Sequence, residues 1–331
     1  MASAKRRAVK RARPARRPAP RRAAPPPALV ILSRNARLYS TRRLVAAARA
    51  LQLHPRVLDT LRCDLLLERD RPRLFHRGVE VEPASVRVVI PRIGASITGY
   101  GLSVVNQFDL MGVPVLNGAA GIGRSRDKLR ALQLLARAGL AIPRTALCRY
   151  RDEVPAAVEL VGGLPCIIKL VRGAQGVGVM IASTMAEVTG LLDTLWTLGQ
   201  EILLQELVKE SRGRDVRALV IGDHVVAAMR RTARAGEFRS NIHRGAAATR
   251  LDLPGDYAEA AVRAARVVGL EVAGVDLLEA SEGPMIMEVN SSPGFEGLER
   301  VTGLDIARRY VEHAAAFAAR TRKAPARPSG E

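Results

Sequence analysis

Near its C-terminal end the chain carries two apolar segments, Ala273 to Leu278 and Met285 to Asn290, on either side of the turn-rich stretch Glu279 to Pro284. This arrangement predicts an antiparallel hairpin. Strand alternation then puts Glu288 and Asn290 on one face, with Met287 and Val289 on the other. Across the hairpin, Asp276 offers a third oxygen ligand from an otherwise apolar strand. Hard oxygen ligands suit Mg²⁺, which takes few protein ligands and keeps water and nucleotide phosphates for the rest. The plain alternative, exposed-face residues of a half-buried hairpin, leaves Asn290 and the following Pro293-Gly294 turn without a purpose.

Upstream, the strand candidate Ala28 to Ser33, the alanine-rich helical pattern from Thr41 to Leu51 and the strand candidate Pro55 to Asp59 make a β-α-β opening. A further strand, Val86 to Pro91, runs into a Gly/Ser/Thr-rich turn and a helical stretch before Val113 to Leu116. Residues 29–118 are thus expected to form an open parallel α/β domain. Ligands of such sheets sit at the carboxyl ends of the strands, where Ser33, Arg34, Arg92 and Ser96 fall. Turn and capping roles fit those four equally well. From Arg126 to Ala138 the pattern is helical. Strands follow at Pro165–Val171, Gly178–Ile181, Ile202–Glu206, Val216–Ile221 and His224–Met229, with a helix at Tyr257–Val268. The second part of the chain therefore reads as α+β.

Lys169 lies within Pro165 to Val171, a lysine alternating with apolar neighbours, and phosphate is the usual reason for such a placement. The glycine-spaced loop Arg172 to Gly178, with Gly176 and Gly178, follows it and supplies backbone amides able to close on phosphate oxygens. Neither a Walker A pattern nor a strand-first Rossmann fingerprint is present. By itself the loop also suits structural glycines beside a snorkelling lysine.

Over residues 28–315 the chain resembles the ATP-grasp ligases, and within them the RimK group of ribosomal-protein glutamate ligases. The resemblance rests on Pro91-Arg92-Ile93-Gly94, Arg126-Asp127-Lys128, Lys169 with its glycine loop, Gln205-Glu206, Asp215-Val216-Arg217, Arg239 to Gly245, and Glu288-Val289-Asn290 through Pro293-Gly294. It implies an ATP-grasp fold behind an N-terminal parallel α/β (pre-ATP-grasp) domain. The expected division is a disordered basic tail 1–28, the N-terminal domain 29–118, a central subdomain 119–205, a C-terminal subdomain 206–318 holding the metal, and a flexible end 319–331. It also implies that Lys128 and Lys169 hold ATP phosphates, that Glu206 and Leu207 lie at the adenine-side hinge, and that Asp215, Arg239, Ser240 and Asn241 complete the nucleotide site. Asp276, Glu288 and Asn290 match the ligands of Mg²⁺, with Mn²⁺ as a substitute. Two departures stand out: Ala246 where a second glycine is expected after Gly245, and the tail of residues 1–28.

The chemistry implied is activation of an acceptor carboxylate by ATP as an acyl phosphate, followed by displacement of phosphate by the α-amine of L-glutamate. No enzyme nucleophile is needed. Lys169, Lys128, Arg239 and the metal serve as cations that neutralise developing charge. Arg217, Arg230 or Arg239 is the candidate to orient an acidic substrate, because the guanidinium fork matches a carboxylate. Among the histidines only His243, inside the Arg239 to Gly245 segment, is a candidate, and a structural role suits it too. The expected acceptor is the C-terminal tail of small-subunit ribosomal protein six. A small-molecule or carrier-protein acceptor is the rival within the same chemistry.

Charge gives the rival from another class. Of the formal net charge of +20, residues 1–28 supply ten Lys and Arg and no acid, in an Arg/Ala/Pro composition too poor in apolar surface to order itself. A ribosome- or nucleic-acid-binding protein with a non-catalytic ATP site would use such a tail on ribosomal RNA. The intact Asp276, Glu288 and Asn290 set argues for the enzyme. Three widely spaced cysteines, Cys63, Cys148 and Cys166, support neither a disulfide framework nor a zinc site. No run approaches the roughly 18 uninterrupted apolar residues of a membrane span. A cytoplasmic homo-oligomer that does not engage membranes is expected.

Overall fold

The computed structural model describes residues 26–171, 178–234, 236–237 and 245–323. The glycine-loop residue Gly176 and the segment holding Arg239, Ser240, Asn241 and His243 lie outside them.

Residues 28–118 build around a short parallel sheet. β1 (Ala28–Leu32), α1 (Tyr39–Ala50) and β2 (Pro55–Leu58) form the expected crossover. A small antiparallel flap follows, made of β3 (Cys63–Leu66), β4 (Arg73–His76) and β5 (Val79–Glu80), before β6 (Val86–Pro91) returns to pair with β1. The strand order is β2-β1-β6, all parallel. The open parallel sheet expected within residues 29–118 is therefore present, with the antiparallel flap as an addition to it. Val113 to Leu116 makes only an isolated parallel bridge, Val89 with Val115, in place of a full strand. α2 (Thr98–Leu110) covers one face of this sheet, where Val104, Val105 and Phe108 pack with Val30, Leu32 and Val89.

The helix expected from Arg126 to Ala138 is α4 (Lys128–Arg137), and a separate helix, α3 (Ala119–Arg126), precedes it. The break falls at Asp127, which adopts extended backbone and caps α4 by accepting a hydrogen bond from Arg130 N at 3.0 Å. Next come β7 (Thr145–Leu147), α5 (Val154–Leu160), β8 (Cys166–Leu170), β9 (Val179–Ala182), α6 (Met185–Thr197) and β10 (Ile202–Glu206). Their strands form an antiparallel sheet in the order β7-β10-β8-β9, with α5 and α6 packed on the face that carries Cys166, Ile168 and Leu204. Lys169 and Gln205 alternate onto the opposite face.

The chain then builds β11 (Arg214–Ile221), β12 (His224–Thr232), β13 (Ala247–Arg250), α7 (Gly255–Val268), β14 (Val272–Ala280) and β15 (Gly283–Asn290). They make a five-stranded sheet, β13-β12-β11-β14-β15, antiparallel throughout. α7 lays Ala261, Ala264, Ala265 and Val268 on the face that carries Val216, Ala218, Val275 and Val289. The other face is split along the strands. At one end Leu219, Ile221 and Val272 join a core with Phe295 and Tyr310 of the closing helices α8 (Glu296–Thr302) and α9 (Ile306–Lys323). That core also takes in Leu29, Ile31, Val88 and Ile90 of the parallel sheet, so α9 is wedged between the two sheets. At the other end the same face turns polar.

Asn117 locks this junction. Buried at 2% exposure, its Oδ1 accepts from Glu271 N at 2.8 Å and Val272 N at 2.9 Å, while Nδ2 donates to Val272 O at 2.7 Å and Ser291 O at 3.0 Å. One side chain thereby fixes the start of β14 and the loop after β15 relative to the N-terminal unit.

Candidate active site

The β14–β15 hairpin forms as expected, closed by a short turn in place of the six-residue connection, and its register sets Asp276 opposite Glu288 and Gly274 opposite Asn290. The ladder slips between Asp276 and Leu277, which pairs with Ile286, so Met287 is the extra residue of a bulge. This corrects the simple alternation. Ile286 and Val289, three residues apart, both enter the core, and Met287 does not join them. Glu288 and Asn290 keep the common outward face. Gly274 is required where it stands, because a Cβ there would lie 2.8 Å from Pro293 Cβ in the loop that follows Asn290.

The polar end of the sheet is a buried ion-pair network. Arg217 grips Asp276 with two bonds of 2.6 Å, Nε to Oδ1 and Nη2 to Oδ2, while Arg231 grips Asp215 at 2.5 and 2.7 Å and reaches Asp276 Oδ2 at 3.1 Å. Burial alone would push Asp276 up, but Arg217 and Arg231 hold it below the usual carboxylate range. Arg231, 3% exposed, is the residue that sequence reasoning missed. Its one signal was alternation with Ala227 and Met229, hidden by ending that strand at Met229 instead of Thr232.

Opposite this network stands Lys169. Its Nζ donates to Gln205 Oε1 at 2.5 Å, and Gln205 Nε2 in turn donates to Thr145 Oγ1 at 2.8 Å. Burial lowers the Lys169 pKa to about 8, an effect opposed by the charges of Glu288 and Asp276 and reinforced by Lys128. The structure therefore brings Lys128, Asp276 and Glu288 within electrostatic reach of Lys169. Gly178 immediately precedes β9, its carbonyl accepting from Leu170 N at 3.0 Å. Its φ of +74° suits glycine, and a Cβ would sit 2.5 Å from Leu170 Cδ1.

Other expected positions fare differently. Glu206 ends β10 and Leu207 follows it, partly buried, where the chain passes from one sheet to the next. The Glu206 carboxylate accepts three bonds of 3.1 Å from Arg144, through N, Nε and Nη2. Arg230 is committed to Glu279 at 3.1 and 2.6 Å, which corrects its candidacy for orienting a substrate. Arg217 is likewise engaged, as the counter-ion of Asp276. Ser33 is buried and bonded to Thr41 Oγ1 at 3.0 Å, a structural role. Arg34 donates to Ser96 Oγ at 3.0 Å on the surface. Arg92 points inward, donating through Nη2 to Pro293 O at 2.8 Å and Ser40 Oγ at 3.3 Å.

Among the described residues no three His, Cys, Asp or Glu side chains are grouped to hold a metal. The candidate set has only two carboxylates, Asp276 and Glu288, completed by the Asn290 amide. That set fits a hard cation that shares its shell with phosphates and water. Asp276 is held by arginines on both oxygens, Oδ2 by two of them, yet Oδ1 accepts only from Arg217 and keeps a second lone pair, and such outer partners orient a ligating carboxylate.

A family model described as the RimK-like ATP-grasp domain matches residues 125–314, and one described as the RimK pre-ATP-grasp domain matches residues 28–122. A curated relative named "Probable alpha-L-glutamate ligase" from Chromohalobacter salexigens is 49% identical over 300 residues, covering 91% of this chain and 99% of its own. A relative of the same name from Ectopseudomonas mendocina is 47% identical over 285 residues, 86% and 94% of the two chains. Among solved structures, the ATP-grasp ligase PsnB complexed with minimal precursor superposes with a TM-score of 0.70 at 22% identity, over 88% of this chain and 99% of that one. A RimK domain protein ATP-grasp from Sphaerobacter thermophilus gives 0.67 at 20%, over 87% and 99%. PsnB complexed with minimal precursor, Mg and ADP gives 0.67 at 22%, over 89% and 98%. No described helix is long and apolar enough to cross a membrane.

Proposed function

The chain belongs to the RimK-like ATP-grasp family and is an ATP-dependent ligase, and from that premise we propose that it joins the α-amine of L-glutamate to a protein C-terminal carboxylate, with the tail of small-subunit ribosomal protein six as acceptor. The observation that carries the reading is the placement of Lys128, Glu288 and Asp276 around the buried Lys169. The name shared by the curated relatives supports the choice of glutamate. Family likeness supports the acceptor.

In this reading the acceptor carboxylate attacks the γ-phosphate, ADP leaves, and the glutamate amine displaces phosphate from the resulting acyl phosphate. Mg²⁺, or Mn²⁺ in its place, supplies charge neutralisation at the phosphates when bound by Asp276, Glu288 and Asn290. Lys169, positioned by Gln205, contributes a cation whose charge phosphate binding completes, because an adjacent anion raises a pKa that burial has lowered. Lys128, in the first turn of α4, adds a second positive group. Arg217 and Arg231 keep Asp276 ionised and aimed. Arg239, Ser240, Asn241 and Gly176 are proposed to complete the nucleotide site.

Incubation with ATP, Mg²⁺, L-glutamate and the ribosomal protein should release ADP and add whole glutamyl units to the acceptor, read by mass spectrometry. ADP release with another carboxylate and no mass gain on the ribosomal protein would keep the ligase and reject that acceptor. No ADP with any carboxylate would reject the ligase chemistry here.

A further inference from the structure

Six buried side-chain polar atoms among the described residues lack a hydrogen-bond partner: Thr60 Oγ1, Arg92 Nη1, Arg126 Nε, Ser291 Oγ, Ser292 Oγ and Tyr310 Oη. All but Thr60 converge on one seam, where the carboxyl end of the parallel sheet meets the loop after β15. Arg92, just beyond β6, donates its Nη2 to Pro293 O in that loop. Arg126, the last residue of α3, donates its Nη2 to Ile93 O, adjacent to Arg92 in the chain. Ser291 and Ser292 connect Asn290 to Pro293. The Tyr310 hydroxyl and the Arg92 guanidinium answer each other, each favouring the charged form that burial opposes.

Orphaned buried polar groups are costly and rare, so several at one place call for a cause. The charges sharpen the point. Burial lowers the pKa of Arg126, Arg92 repels it, and Glu288 is the acid that offsets both. Arg92 is likewise lowered by burial. Two guanidiniums held close together, Arg126 with an idle Nε–H, beside the two idle hydroxyls of Ser291 and Ser292, are complementary to an anion that accepts several hydrogen bonds. The seam adjoins Glu288 and Asn290, where a phosphate would be held, so a carboxylate seated there lies beside the phosphate transfer site.

We propose that Arg92, Arg126, Ser291 and Ser292 form the anchor for a substrate carboxylate, a role that rests on the ligase reading. The carboxylate comes either from free L-glutamate or from the acceptor terminus, and binding separates the two sources. With protein saturated by Mg²⁺ and a non-hydrolysable ATP analogue, calorimetric titration of L-glutamate is set against titration of a peptide ending in two glutamates. Arg126→Met should weaken the anchored one of the two about tenfold or more, with partial recovery in Arg126→Lys. Ser292→Ala guards against a folding artefact. Its hydroxyl has no partner to lose, so the melting temperature should hold while affinity for the same probe falls several-fold. Unchanged affinity for both probes in Arg126→Met and Ser292→Ala overturns the anchor. So does a nucleotide-loaded wild-type protein that binds neither probe. Failure to bind the nucleotide analogue at all overturns the ligase reading and the anchor together.

Discussion

Replacing Lys169 by methionine should make the stability of the nucleotide-free protein less dependent on alkaline pH, with a size set by the burial of the lysine. Its pKa falls from 10.5 to about 8 in the folded protein. At about 1.36 kcal/mol per pH unit, that depression amounts to about 3 kcal/mol of penalty for folding with the ammonium charged. Part of the side chain still meets water, so about half of that, roughly 1.5 kcal/mol, is the realistic share. The sign follows from linkage. Below about pH 8 both folded and unfolded chains carry the proton and the penalty is fully present. Between about pH 8 and about pH 10.5 only the unfolded chain holds it, so the wild type gains stability as pH rises. Methionine removes this titration, and the bond to Gln205 goes with it; any part of that bond that does not change with pH drops out of the comparison below. Denaturant unfolding of both proteins at about pH 7 and about pH 10 gives a double difference in which every other titrating group cancels. The wild type should gain roughly 1.5 kcal/mol on the variant over that interval. A gap that stays constant, or one that moves the other way, would refute the burial argument. Saturating nucleotide should shrink the pH effect in the wild type, because phosphates restore the charge that burial disfavours.

Glu288→Gln should raise the Mg²⁺ concentration for half-maximal ATP turnover by about tenfold or more, the scale on which even outer-shell changes act at metal sites; unchanged Mg²⁺ dependence would remove Glu288 from the metal set. Gly274→Ala places a methyl 2.8 Å from Pro293 Cβ on a buried strand, so it should cost about 1–3 kcal/mol in a melting experiment and lower turnover by shifting the loop after Asn290. Asn117→Ala strands the four backbone groups that Asn117 now satisfies. It should destabilise the protein by about 3 kcal/mol in denaturant unfolding, and a loss below about 0.5 kcal/mol would show that water replaces the amide.

What the sequence revealed and what it hid divide along physical lines. The β14–β15 hairpin and the opening β1-α1-β2 unit were legible because each buries one clean face, and a period of 2 or 3.6 is all that such a face requires. The flap of β3, β4 and β5 was not. Its strands are short and interleaved with charges such as Asp64, Arg73 and Glu80, and Arg73 and Glu80 pair only once the flap exists, at 2.7 Å. The break between α3 and α4 was hidden because Asp127 is compatible with the helical pattern on either side, although an aspartate three residues before Arg130 is also an N-cap signal. The Met287 bulge was invisible in principle, since a slip of register leaves no mark on composition. Within the site, the oxygen ligands and Lys169 were readable as polar residues set against apolar strands. The arginines that hold Asp276 were not, because which arginine meets which aspartate depends on cross-strand register between β11, β12 and β14, more than forty residues apart along the chain for Arg217 and Asp276.

That hidden pairing decides how a metal enters. Asp215 and Asp276 are matched one for one by Arg231 and Arg217, so neither contributes net charge to the site. Glu288 then faces Lys169 and Arg126 together, with Lys128 adding to the field at Lys169. Within this group of described residues cations outnumber anions, and a bare divalent ion approaching Glu288 and Asn290 meets net positive charge in a poorly solvated place. A triphosphate reverses the balance. Its charge matches the lysines and creates the negative potential that the metal needs, while Asp276 supplies an oxygen already oriented by its arginines. The site we propose would thus take the metal and the nucleotide together, which is why two carboxylates and an amide would suffice where an all-protein cage would need more.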